Sequence, residues 1–140
     1  MREILFRGKC GYNDEWVEGF YYQAKLYRSD KELCHYITIP RPESDGQPSD
    51  HIMVHSETVG QFTGLTDKNG KKIFEGDIVL YPWNDQDKPE RFTIKFKDGQ
   101  FVANPVKETE DYWDFVVGGY SKEMEIIGNI HDNPELLENP

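Results

Sequence analysis

The sequence predicts an all-β protein, a barrel or sandwich of short strands, and three observations predict it. Short aromatic and β-branched runs recur at intervals of about ten residues, the spacing of strands joined by turns and not of alternating strands and helices. In "RFTIKF" (91–96) Phe92, Ile94 and Phe96 alternate with Thr93 and Lys95, the period of a half-buried strand. Asn69-Gly70 and Asp98-Gly99 are dipeptides that accept the positive φ angles of a two-residue hairpin turn.

Taken in chain order, "EILFR" (3–7) and "WVEGFYYQ" (16–23) flank the turn-rich "GKCGYNDE" and form a first hairpin. "LCHYITI" (33–39) is another strand. "PRPESDGQPSD" (40–50) carries three prolines and a glycine, which neither a helix nor a central strand accepts, so it is a loop and a boundary between two lobes. In "EGDIVLY" Gly76 permits a sharp entry into a strand with Ile78 and Leu80 on one face. "RFTIKFKDGQFVANPV" (91–106) is a hairpin. "MEIIGNIHD" (124–132) is a strand whose internal Gly128 marks a bulge or a close backbone approach. Asn133 then caps a short final turn, "PELLE", with Pro134 at its first helical position.

A chain of 140 residues makes one domain, or one domain with a smaller lobe, and buries roughly two-thirds of its unfolded surface. Only 36% of it is apolar, but 14% is aromatic. Each buried ring removes about 150–250 Å² from water, so the core is expected to be rich in aromatic residues. Net charge is −10, and residues 108–140 hold nine carboxylates against Lys122 alone. That segment repels phosphate backbones, which disfavours direct nucleic-acid binding; it reads as a solvated surface, a docking face for a basic partner or a cation site. Two thiols, Cys10 and Cys34, and no signal-like start fit a reduced cytoplasmic setting. No apolar run of about 18 residues offers a membrane span.

The densest motif, "TVGQFTGLTDKNGKKIFEGDIV" (58–79), fails the tests for chemistry. A phosphate loop needs four residues between its glycines and then Lys-Ser or Lys-Thr; Gly64 and Gly70 have five between them, and Lys71 is followed by Lys72. Asp67 and Asn69 begin a calcium-loop pattern that the lysines interrupt. What remains is a turn at Asn69-Gly70. His51 and His55 share a face at an offset of four, whether on a helix or a strand, without the glutamate of a zinc-protease motif. Glu75 and Asp77 share a strand face, where acid–base work with His51 or His55 is geometrically conceivable. "EDYWDF" (110–115) interleaves acids with Tyr112, Trp113 and Phe115, either a core anchor under a charged rim or an aromatic cage for a cationic group.

The residues "ILFRGK" and "WVEGF" at the start, "TVGQFTGLTDKNGKKIFEGDIV" in the middle and "EIIGNIHDNPELLE" at the end resemble the YopX family of bacteriophage and prophage proteins. The resemblance covers nearly the whole chain. It implies a mainly β fold in two parts: a smaller β-rich N-terminal region (1–56) and an SH3-like β-barrel (57–140) ending in the short helical turn. It implies a phage or prophage setting and brings no catalytic residues.

The expected function is therefore that of a non-enzymatic interaction module that binds a protein partner or copies of itself, with Tyr81, Trp83, Tyr112 and Trp113 as its recognition rings and no cofactor or metal. Exposed strand edges favour a homo-oligomer. The alternative is a nucleic-acid-handling protein using Arg91, Lys95 and Lys97, or a nucleic-acid mimic using the acidic segment from Glu108. A hydrolase using Glu75 or Asp77 with a histidine is a third reading.

Overall fold

The computed structural model describes residues 3–25, 33–40, 48–82, 88–107 and 114–138. It is mainly β, as expected. Eleven strands lie among these residues: β1 (Phe6–Lys9), β2 (Trp16–Lys25), β3 (Leu33–Pro40), β4 (Pro48–Val54), β5 (Gly60–Thr66), β6 (Lys72–Phe74), β7 (Asp77–Tyr81), β8 (Glu90–Lys97), β9 (Gln100–Pro105), β10 (Phe115–Val116) and β11 (Glu125–Asn129). Among the described residues helical structure is confined to 3₁₀ turns at Ser56–Thr58, Ser121–Glu123 and Pro134–Leu137. The strands form two sheets, in the orders β4-β3-β2-β1-β5-β6 and β10-β9-β8-β7-β11. Among the described residues neither strand order returns to its first strand. The closed barrel implied for residues 57–140 would return the last strand to the first, but among the described residues β10 pairs with β9 and β11 with β7. The chain divides into two compact units, Met1–Phe62 and Thr63–Pro140.

In the first unit β1, β2, β3 and β4 follow one another as antiparallel neighbours. The sheet then curls. Past the end of β1, Cys10 bridges Val54, the Gly11 N–H donates to the Met53 carbonyl at 2.8 Å, and the His55 N–H donates to the Lys9 carbonyl at 2.9 Å. Cys10, Ile37 and Val54 are buried. Gly19 on β2 makes close strand approach possible, because a Cβ there would stand 2.3 Å from the Thr38 carbonyl oxygen of β3.

In the second unit Ile73, Val79, Tyr81, Phe92, Ile94, Ala103, Val117 and Met124 form the core, with Leu65, Phe101, Phe115 and Ile126 packed against it. Rings dominate its centre: Tyr81 lies 5.1 Å from Phe115 and 6.2 Å from Phe92, and Phe92 and Phe115 meet edge to face at 5.1 Å. Edge-to-face contact sets the positive rim of one ring against the negative face of the other, which adds to burial. The strand β7 is buried on both sides. Val79 and Tyr81 join the core cluster while Ile78 is also fully buried, so alternation alone does not pick out its inner face.

The β8–β9 hairpin turns at Asp98 (φ 53°) and Gly99 (φ 80°), the two left-handed residues that the Asp-Gly dipeptide predicts. Its alternation runs out early. Phe92 and Ile94 are buried but Phe96 is 53% exposed, because its register places it beside the turn, where it packs on Phe101 of the partner strand at 5.0 Å. At the other predicted irregularity, the register of β11 against β7 shifts between Ile126 and Gly128. A Cβ on Gly128 would lie 2.4 Å from Asn133 Oδ1. Asn133 does precede the final turn, with Pro134 behind it, but its side chain accepts from the Asn129 N–H at 3.2 Å instead of capping.

Candidate functional site

Two carboxylates of the densest motif, those of Asp67 and Asp77, serve the backbone. Asp67 is 1% exposed, and its Oδ1 accepts the N–H groups of Asn69 and Lys71, both at 2.9 Å, while Oδ2 accepts that of Ile126 at 3.0 Å. Burial pushes its carboxyl upward, but the three amide donors and the nearby Lys71 charge outweigh it and hold the group below the ordinary aspartate value. Asp77, 2% exposed, accepts the Phe74 N–H at 2.7 Å across the turn before β7. Both oxygens of Asp67 and Oδ2 of Asp77 thus accept backbone amides.

The histidines have separate partners. His51 lies on β4, with Nδ1 2.7 Å from the Tyr22 hydroxyl and 3.4 Å from that of Thr38. His55 lies beyond the strand end, with Nε2 2.9 Å from Asp14 Oδ1. Their offset of four does not give them a common ligand position, because β4 stops at Val54. Of the four expected recognition rings, Trp83, Tyr112 and Trp113 lie outside the described residues. Tyr81 is a correction: it is 8% exposed and belongs to the core cluster. β7 carries it into the ring cluster with Phe92 and Phe115.

The structure instead assembles a group of rings on the first unit. Alternation along β2 puts Trp16, Glu18, Phe20 and Tyr22 on one face, and the register continues that face through Thr38 and Tyr36 of β3 to His51 and Met53 of β4. Phe20 is 60% exposed, Met53 42% and Tyr22 37%. Tyr22 and Tyr36 stack at 5.1 Å, and His51 meets Tyr22 edge-on at 5.7 Å. At the β1 end of the face, the guanidinium of Arg7 sits 4.7 Å from the Trp16 ring centre and the Lys9 ammonium 5.6 Å. The Tyr36 phenol is pushed above the ordinary tyrosine value, first by burial and then by Cys34 and Tyr22, so it stays neutral at physiological pH. The result is an apolar aromatic patch bordered by two cations and Glu18.

Contiguity gives the patch meaning, since single exposed apolar residues are ordinary but adjacent ones mark contact surfaces. A signal for it exists in the sequence. Tyr21 and Tyr22 are consecutive on a strand, so one ring must point to each face. Tyr21 packs on Phe6 at 5.2 Å and stacks on His35 at 5.8 Å on the opposite face of the sheet.

Three comparisons bear on this chain. The family model described as YopX protein matches residues 5–138. A Bacillus subtilis (strain 168) protein, "SPbeta prophage-derived uncharacterized protein YopX", is 36% identical over 70 residues, 49% of this chain and 52% of the relative. The chain thus spans about half the length of that relative. The crystal structure of protein EF1440 from Enterococcus faecalis aligns with a TM-score of 0.58 and 28% identity over 99% of this chain and 100% of that one.

Proposed function

The chain belongs to the YopX family, and on that footing we propose that it is a phage-derived, non-enzymatic interaction module whose contact surface is the aromatic face of β2, β3 and β4. The observation that carries this reading is the adjacency of Phe20, Tyr22 and Met53, each more than a third exposed, on one face. Covering an exposed ring gains about 25 cal/mol for each Å² of apolar surface removed from water. The prophage origin printed for the Bacillus subtilis relative supports the phage setting. The unbridged thiols Cys10 and Cys34 support a reducing cytoplasm. For the second unit, the run of short antiparallel strands around one ring-rich core supports an SH3-like arrangement in open form.

The occupant we favour is a second copy of the chain, because a face of mixed rings can pair with itself about a two-fold axis. Sedimentation velocity over a concentration series tests it. The wild type is expected to dimerise with rising concentration, and Phe20→Asp to remain monomeric with an unchanged β-type circular dichroism spectrum. A wild type that stays monomeric throughout the series overturns self-association.

One observation favours a second reading. Arg7 and Lys9 flank Trp16 on the same face as Phe20 and Tyr22, and rings edged by cations are how proteins stack the bases of single strands. The net charge of −10 opposes it. Single-stranded DNA that shifts Trp fluorescence at low salt, and loses that effect as salt rises, would establish it.

A further inference from the structure

A concave site lies in the second unit, where the end of β7, the start of β8 and the end of β9 converge. The cleft holds about 300 Å³ and is lined by Leu80, Lys88, Pro89, Glu90, Arg91, Val106 and Lys107. Strand pairing builds it: Leu80 stands opposite Arg91, and the Val106 N–H donates to the Arg91 carbonyl at 3.0 Å. Leu80, Pro89 and Val106 supply the apolar lining, while among the described residues three cations face one carboxylate, Glu90.

That balance is unusual in a chain of net charge −10. Three like charges gathered at one cleft repel one another, and the repulsion is relieved when an anion sits among them. Arg91 is the best placed to hold it. Its Nη2 donates to the Glu138 backbone carbonyl at 3.1 Å, which orients the guanidinium without neutralising it, because a peptide carbonyl has no net charge. The other guanidinium donors keep the fork geometry that matches two oxygens of one oxyanion. Lys88 and Lys107 are exposed and add point charges at the rim. The apolar wall has no use for a bare inorganic ion, and a cleft of this volume is at the small end of those that take organic ligands.

We propose that this cleft binds a small organic phosphate, its phosphate held by Arg91, Lys88 and Lys107 and its apolar or aromatic body laid against Leu80, Pro89 and Val106. The site is separate from the aromatic face of the first unit and stands or falls independently of it. Mononucleotides are the simplest members of the class with both parts.

The test is an amide NMR titration of the full chain with adenosine 5′-monophosphate, inorganic phosphate and adenosine in turn. Saturable shifts of the Leu80, Arg91 and Val106 amides are expected with the monophosphate, weaker ones with phosphate and none with adenosine. Arg91→Gln and Lys107→Gln are each expected to weaken binding about tenfold, the loss of one charge-assisted contact. Lys107 is exposed, so its substitution reports on the ligand even where Arg91→Gln disturbs the contact to Glu138. Equal affinity in the wild type and Lys107→Gln, shifts that do not saturate, or shifts confined to other residues would overturn the proposal.

Discussion

Asp67 Oδ2 accepts the backbone N–H of Ile126 at 3.0 Å, across 59 residues of sequence, while the other oxygen of the same carboxylate closes the Asn69-Gly70 turn. One buried side chain therefore shapes a local turn and fixes it to β11. The neighbouring amide of Lys68 adds a second tie, donating to the Met124 carbonyl at 2.9 Å. The densest motif of the chain is an anchor.

Asp67→Asn is expected to destabilise the protein by roughly 1–3 kcal/mol, because an amide side chain presents its NH₂ to either the turn amides or Ile126 and leaves a buried donor unsatisfied. Urea unfolding followed by Trp fluorescence measures it. A variant as stable as the wild type would remove the anchoring role.

Acid should act through the same group. The carboxyls of Asp67 and Asp114 are both held below the ordinary value: Asp67 by amide donors that outweigh its burial, Asp114 first by the Asn104 side-chain hydrogen bond and then by Lys97. A lowered folded-state value means stability that is present above the unfolded value of about 3.9 and lost as pH falls through the folded values. Stability measured downward from pH 6 is expected to hold until about pH 4 and then fall, with a shallower fall in Asp67→Asn. An identical acid profile for the two proteins would contradict this.

Gly19→Ala is expected to cost about 1–3 kcal/mol as an overpacked site, since its Cβ would lie 2.3 Å from the Thr38 carbonyl oxygen and backbone has to move to admit it. A thermal melt reads the change, and an unaltered midpoint would show that β2 and β3 can separate freely at that point.

Tyr81→Ala should behave as a core deletion, with a loss of about 3–5 kcal/mol, because the ring touches Phe92, Phe115 and Tyr120. Burial and then Glu123 also push its phenol above the ordinary value. In an alkaline absorbance titration, its ionisation is expected above the ordinary tyrosine range. A variant that keeps full stability would return Tyr81 to the surface.

What was legible in the sequence is what neighbouring residues decide among themselves. Asp98-Gly99 forms its turn because two adjacent φ values suffice, and Gly128 marks a register shift because the missing side chain leaves room for Asn133 five residues on. The curl of the first sheet was not legible: it depends on Lys9, Cys10 and Gly11 meeting Met53, Val54 and His55, and no local pattern encodes such a meeting. The aromatic face was hidden for a related reason. In "GFYYQ" apolar side chains point to both sides of β2, so the outward face emerges only once pairing has set which side is covered. Tyr81, expected as a recognition ring, is carried inward by β7, which is buried on both sides.

The tie between residues 9–11 and 53–55 has a consequence for synthesis. The pairings among β1, β2, β3 and β4, and the contact of β1 with Gly60 and Gln61, involve only the first 62 residues. The growing polypeptide can complete that set of contacts on the ribosome before the second unit has been translated, in keeping with the order in which units of a chain fold. A nascent chain arrested shortly after residue 55 clears the exit tunnel is therefore the shortest one that can join Cys10 to Val54.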